Sequence, residues 1–193
     1  ITLNDQFSIT GGLRYTDEAK TIERSNISVA PLDIGGGIVL PAGTPLIPIG
    51  TKGKTSFDNL SPQITLNYKA SDDVNLYAKY AKGFKSGGFN GEAGTVVETL
   101  RPYDSEIVDS FEVGAKTRFW DGRAQLNAAA FFNDHTDMQL SVFTAEGAAA
   151  SDVRNAGGAE IKGFEIEGLF QASEQFLLRA NYGRLSTKYT EFI

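Results

Sequence analysis

Residues 59–90 read NLSPQITLNYKASDDVNLYAKYAKGFKSGGFN, and this stretch decides the fold class. Leu60, Pro62, Ile64, Leu66 and Tyr68 alternate with Ser61, Gln63, Thr65, Asn67 and Lys69. Ser71-Asp72-Asp73 then interrupts, after which Val74, Leu76, Ala78 and Tyr80 alternate with Asn75, Tyr77 and Lys79. Period two marks a strand whose faces meet different surroundings. Asp and Ser accept the backbone of a tight turn, so the two runs make an antiparallel hairpin. Beyond Tyr80 the alternation dissolves into Gly83, Gly87 and Gly88 among lysines and phenylalanines. A phosphate cradle would need G-x-x-x-x-G-K-[ST] between a strand and a helix, and neither that spacing nor a helix follows. The segment reads as a strand leaving a sheet, its glycines allowing the bend where pairing ends.

The same alternation recurs in five further segments. Phe7, Ile9, Gly11, Leu13 and Tyr15 share one face, with Gln6, Ser8, Thr10 and Arg14 on the other. Phe111, Val113, Ala115 and Phe119 oppose Ser110, Glu112, Lys116 and Arg118. Ala124, Leu126, Ala128, Ala130 and Phe132 oppose Arg123, Gln125 and Asn127. Phe164, Ile166 and Phe170 oppose Glu165 and Glu167, while Phe176, Leu178, Ala180 and Tyr182 oppose Arg179 and Asn181. Helical spacing is sustained nowhere. The expected fold is all-β, an antiparallel meander of about 7–8 strands, with room for an eighth in Gly37–Thr51.

Connections alternate between short and long. Short turns are expected at Asn4-Asp5, Ser71-Asp72-Asp73, Trp120-Asp121-Gly122 and Ser173-Glu174. Long loops are expected at about Ser25–Ser56, Ser86–Pro102 and Thr144–Gly157. Compact soluble domains seldom need such loops. Short turns at one end and long loops at the other is the layout of an outer-membrane barrel, and aromatic residues at strand ends suit its interfacial girdles. A soluble β-sandwich built on the same aromatics is the alternative.

Bulk composition narrows the classes. The 193 residues carry a net charge of −6, which argues against nucleic acid as a partner. There is no cysteine, so disulfides, thiolate metal sites and cysteine nucleophiles are excluded. No run of apolar residues is long enough for a transmembrane helix.

The order of motifs carries a resemblance. Residues 59–90, together with SEIVDSFEVGAKTRF (105–119), WDGRAQLNAAAFFNDHTDMQ (120–139) and NAGGAEIKGFEIEG (155–168), resemble the barrel of TonB-dependent outer-membrane receptors. The likeness covers most of the chain and is weakest over Ser25–Ser56. It implies that residues 1–193 are an internal piece of a large transmembrane β-barrel of about 22 strands around a plug. The plug domain and the N-terminal region that engages TonB are expected outside this piece. The implied function is uptake of a scarce nutrient, an iron-siderophore type chelate first of all, across the bacterial outer membrane. The implied partners are outer-membrane lipid, the rest of the barrel and plug, the TonB complex and a small-molecule substrate such as a ferric chelate. A small self-contained barrel with an adhesive or structural role is the second reading.

No catalytic residue, cofactor or resident metal is expected. Ser110, His135 and Asp137 lack a nucleophile elbow around the serine. Asp134, His135 and Asp137 are too few for a metal site without further donors. Asp104, Glu106 and Asp109 lack the calcium-loop pattern. The polar-face set of Glu112, Lys116, Arg118, Arg123, Gln125, Glu165, Glu167 and Arg179 is expected to line the lumen. Candidate ligand contacts are Phe84, Lys85, Phe89, Asn90, Arg101 and Tyr103, which mix aromatic, basic and amide groups around the second long loop.

Overall fold

The computed structural model describes residues 1–144 and 150–192. Strand β1 is Phe7–Ile27, and the loop after it holds two short paired strands, β2 (Leu32–Asp33) and β3 (Val39–Leu40). Strands β4 (Pro45–Ser71) and β5 (Val74–Lys85) follow. The second loop contains β6 (Gly88–Phe89), helix α1 (Val96–Leu100) and β7 (Pro102–Tyr103). Next come β8 (Glu106–Phe119), β9 (Ala124–Thr136) and the hairpin of β10 (Gln139–Thr144) with β11 (Ala150–Asn155). The last two strands are β12 (Gly157–Ser173) and β13 (Phe176–Phe192).

Seven of these strands form one antiparallel sheet in the order β1-β4-β5-β8-β9-β12-β13. They are the seven alternating segments of the sequence, and the order is a plain meander. Nothing from Gly37–Thr51 joins the sheet as an eighth strand: Val39–Leu40 pairs with Leu32–Asp33, and Pro45 onward extends β4. The sheet is open, with β1 and β13 as its edges, so these strands do not close a small barrel.

The long connections differ from their expected bounds. Strand pairing of β1 with β4 runs on to Ile27 and Pro45, deep into the segment expected to be loop from Ser25 to Ser56. Thr51–Ser56 has no apolar face to betray it, because this part of the hairpin rises beyond the apolar band. Likewise Ser86–Pro102 is not plain loop but carries β6 and α1. The Thr144–Gly157 loop is mostly the β10–β11 hairpin, and its tip, 145–149, lies outside the described residues.

Register turns the alternation into two continuous faces. One row runs Phe7, Tyr68, Leu76, Ala115, Ala128, Ile166, Tyr182 across all seven strands. The parallel row Ile9, Leu66, Ala78, Val113, Ala130, Phe164 lies beside it. The opposite face carries Asn75, Lys116, Asn127, Glu167 and Asn181 in register. A one-residue slip would exchange the faces, so a single register satisfies both.

Among the described residues, nothing covers the apolar face. Leu13 is 69% exposed, Val113 57% and Tyr182 59%. Each such side chain left in water forgoes roughly 1.5–3 kcal/mol of burial. Among the described residues the few buried apolar ones, Ile47, Ala93, Ala124, Ala156 and Ala159, form no layer, and no second sheet packs on the face. That excludes the sandwich. The apolar run on β8, Phe111 to Phe119, is nine residues; at a barrel tilt near 40° it spans about 20–25 Å, the height of a membrane-facing band. Aromatic pairs mark both limits of the band. Phe7–Tyr68 (centroids 4.5 Å) and Trp120–Phe170 (5.4 Å) lie toward the short turns, Tyr80–Phe111 (5.0 Å) and Phe164–Tyr182 (5.8 Å) toward the long loops.

The short turns hold their register with few residues. Trp120, Asp121 and Gly122 have φ of 51°, 54° and 83°, a left-handed path that closes on the Arg123 N–H to Trp120 carbonyl bond of 3.1 Å. The β4–β5 turn is tied by Lys69 Nζ, 2.6 Å from Asp72 Oδ1, and this hydrogen bond holds the Asp72 carboxyl below its usual range.

Candidate ligand-facing loops and inner wall

Above the apolar band, the β1–β4 hairpin is polar, yet every second residue of it is covered. Thr16, Glu18, Lys20, Ile22 and Arg24 are half-buried on one side, opposite Phe57 and Gly53. What covers them is the second loop, folded onto the inner side of the wall. Lys20 Nζ donates to the Gly87 carbonyl at 2.6 Å, and the Arg24 guanidinium donates to the Ala93 carbonyl. Phe89 and Leu100 press on Gly53, where a Cβ would lie 3.1 Å from each. At Gly87 a Cβ would lie 2.3 Å from the Tyr103 carbonyl and 2.4 Å from the Phe57 ring, so only glycine fits. Helix α1 is capped by Thr95, whose hydroxyl accepts from the Glu98 N–H at 3.2 Å, and is pinned by the wholly buried Thr99.

The second loop is also fastened to the third. The Gln139 side-chain amide donates to the carbonyls of Lys85 (3.2 Å), Ser86 (3.1 Å) and Asp104 (3.0 Å). Asn155 accepts from the Asp104 N–H at 2.7 Å and donates to the carbonyls of Asp104 and Asp137. Asp152, 3% exposed, receives both Arg101 and Arg154. Glu106 accepts from the Gln139 N–H at 3.1 Å, with His135 Nδ1 at 3.5 Å from its other oxygen. The outer end of the wall is therefore one connected polar cluster.

The six expected contact residues do not converge. Phe84 follows Tyr80 by four along β5, so it lies on the apolar-face side, in register with Ile107. Lys85 is exposed on the inner side. Phe89 packs down onto the hairpin. Asn90 is 3% exposed and its Oδ1 accepts from the Glu92 N–H at 2.9 Å, a turn-forming arrangement. Arg101 pairs with Asp152, and Tyr103 stands in register with Gly88. Sequence reading did not find Lys20, Arg24, Gln139, Asp152, Arg154 and Asn155; all but Arg154, which meets Asp152 two positions away, have a partner far along the chain.

The inner-wall charges divide. Glu112 accepts from the Tyr77 hydroxyl at 2.6 Å, and Lys116 Nζ sits 5.8 Å from the Tyr77 ring centre. Gln125, Asn127, Glu167, Arg179 and Asn181 line a common groove. Arg118 and Arg123 instead serve the short-turn end: Arg118 reaches Asp73 and the Asp72 carbonyl, and Arg123 the carbonyls of Gln171 and Ala172. Among the described residues no group of His, Cys, Asp or Glu is arranged to hold a metal. Glu106 and Asp109 face opposite sides of β8, and Asp109 accepts from the Tyr80 hydroxyl.

The wall of two faces, the alternating loops and the motif order meet in one comparison. The family model described as TonB dependent receptor-like, beta-barrel, matches residues 1–192. The chain belongs to the TonB-dependent receptor family. Its relatives include the pesticin receptor of Yersinia enterocolitica, 27% identical over 169 residues that cover 86% of this chain. The metal-pseudopaline receptor CntO of Pseudomonas aeruginosa is 30% identical over 131 residues, 68% of this chain. The chain spans 21% and 17% of those two proteins. Among solved structures, the ferric yersiniabactin uptake receptor FyuA of Yersinia pestis superposes with a TM-score of 0.73 at 24% identity, covering 97% of this chain and 25% of the receptor. The siderophore receptor PiuA of Acinetobacter baumannii gives 0.69 at 16% identity, covering 98% and 24%. The seven strands of this receptor segment are thus wall strands of an outer-membrane barrel, with the apolar face on lipid and the polar face on the lumen.

Proposed function

We propose that this receptor takes up a metal chelate of the iron-siderophore type, with transport energised through TonB. The metal-pseudopaline named for its relative CntO supports that substrate class. The observation that carries the reading for this segment is the second loop, held against the inner wall by Lys20 and Arg24 instead of standing free. A loop so placed narrows the mouth and presents side chains to whatever enters. The segment would supply wall strands, lumen surface and three outer loops; a plug inside the barrel and the TonB complex would complete the machine. Lys85, Phe89, Arg101 and Tyr103 are proposed as ligand contacts, with Phe84 and Asn90 ordering the loop that carries them.

The test is accumulation of iron-55 supplied as ferric chelates by iron-starved cells expressing the full-length receptor. Uptake of at least one chelate should require both the receptor and TonB. Accumulation that persists without TonB, or that is independent of the receptor for every chelate, would refute the reading.

A further inference from the structure

Two arginines share one buried carboxylate at the outer end of the wall. Arg101 follows α1 in the second loop; Asp152 and Arg154 stand two apart on β11 and so on the same side of that strand. Arg101 Nη2 and Arg154 Nε both bond Oδ2 of Asp152, the latter at 2.7 Å. The Asp152 side chain is 4% exposed, while those of Arg101 and Arg154 are 48% and 49% exposed.

This arrangement has more charge than a loop staple needs. One arginine neutralises one carboxylate; the second leaves the trio of Arg101, Asp152 and Arg154 with one unit of positive charge. Each guanidinium carries five N–H donors. Each spends one on Asp152, and among the described residues neither has another side-chain hydrogen bond. The remaining donors are half exposed at the end of a wall segment whose net charge is −6. Two guanidinium groups held close repel each other unless a further anion joins them, and planar forks match the spacing of paired anionic oxygens.

We infer that Arg101 and Arg154 form an anion subsite, preset by Asp152, for the anionic oxygens of an incoming chelate. The inference rests on the chelate-uptake reading and names the part of the ligand this site takes: carboxylate or catecholate oxygens with net negative charge. Asp152 fixes the two guanidinium groups and is not itself a ligand contact.

The experiment uses cells displaying the full-length receptor but lacking TonB, so that binding is read without transport. Two iron-55 probes are compared, a triply negative ferric tris-catecholate and a neutral ferric trihydroxamate. Arg154→Gln and Arg101→Gln should each weaken binding of the anionic probe roughly tenfold or more, as expected for a lost charge-assisted contact, and leave the neutral probe unchanged. Arg154→Lys should retain part of the affinity. Asp152→Asn separates recognition from mere fastening: the asparagine oxygen still accepts from both arginines, so they stay placed while the internal negative charge is gone. The anionic probe should then bind as tightly as to the parent or more tightly, whereas a site that depends on the ion pair as a loop staple would lose binding as in the arginine variants. Unchanged anionic binding in both arginine variants, or loss in Asp152→Asn, overturns the inference. A parent receptor that binds the neutral probe alone overturns it too while leaving chelate uptake standing; one that binds neither probe overturns both.

Discussion

The ring of Tyr77 on β5 covers Gly114 on β8: a Cβ placed on Gly114 would lie 2.5 Å from the ring edge. The two residues are directly opposite in register, on the lumen face. Glu112 anchors the hydroxyl and Lys116 sits beside the ring, so the tyrosine is held from three sides. The same device recurs at Phe131 on Gly163, and at Gln63 on Gly12. All three strand pairs concerned, β5–β8, β9–β12 and β1–β4, are joined by long loops. A tight turn fixes register by itself, whereas a long loop does not; a large side chain resting in a glycine gap supplies the missing constraint.

Gly114→Ala should therefore destabilise the receptor. The methyl would push the Tyr77 ring aside and break its bond to Glu112, at a cost of about 1–3 kcal/mol. Urea unfolding of the full-length receptor in detergent micelles measures it. An unchanged midpoint would mean that the ring moves freely.

Gly163→Ala should cost more than Gly114→Ala. There the added Cβ would sit 2.4 Å from the Arg184 carbonyl as well as 2.9 Å from the Phe131 ring, and backbone cannot swing away as a side chain can. In the same assay the order of the two midpoints is the readout, and equal shifts would contradict the geometry.

Gln139→Ala should loosen the second loop without unfolding the wall. The amide it removes reaches three carbonyls on two neighbouring segments. Amide exchange over Gly88–Tyr103 should quicken several-fold, since protection there reflects local opening, while β8 and β9 stay protected. Uniform exchange in variant and parent would show that Arg101 and Asn155 suffice.

Much of this was legible in the sequence because side-chain period is strict where the two faces differ. Every face assignment from Phe7 to Tyr182 rests on that contrast, and the same parity rule applied past Tyr80 already sets Phe84 apart from Lys85. Where both faces are polar, as at Thr51–Ser56, the contrast vanishes and strand looks like loop. The outer cluster was hidden for another reason. Gln139 meets Lys85 across 54 positions and Arg101 meets Asp152 across 51, and no local pattern announces such pairs.

Ala128→Arg should impair assembly far more than Asn127→Arg. The first places a charge in the middle of the lipid face, costing about 2–4 kcal/mol at the bilayer midplane, and the second adds one to a polar lumen. Heat-modifiable mobility of the receptor in outer-membrane fractions reports folding. Equal yields of folded protein would count against the assignment of faces.

The most direct test of that assignment is a nitroxide scan along β8, one position at a time from Phe111 to Phe119, in the full-length receptor in bilayers. This segment contributes no cysteine of its own to interfere. Val113, Ala115 and Thr117 should collide preferentially with oxygen dissolved in lipid, and Glu112, Lys116 and Arg118 with a water-soluble nickel chelate, giving two curves of period two in opposite phase. Curves in phase, or without a period of two, would contradict a wall with lipid on one side and lumen on the other.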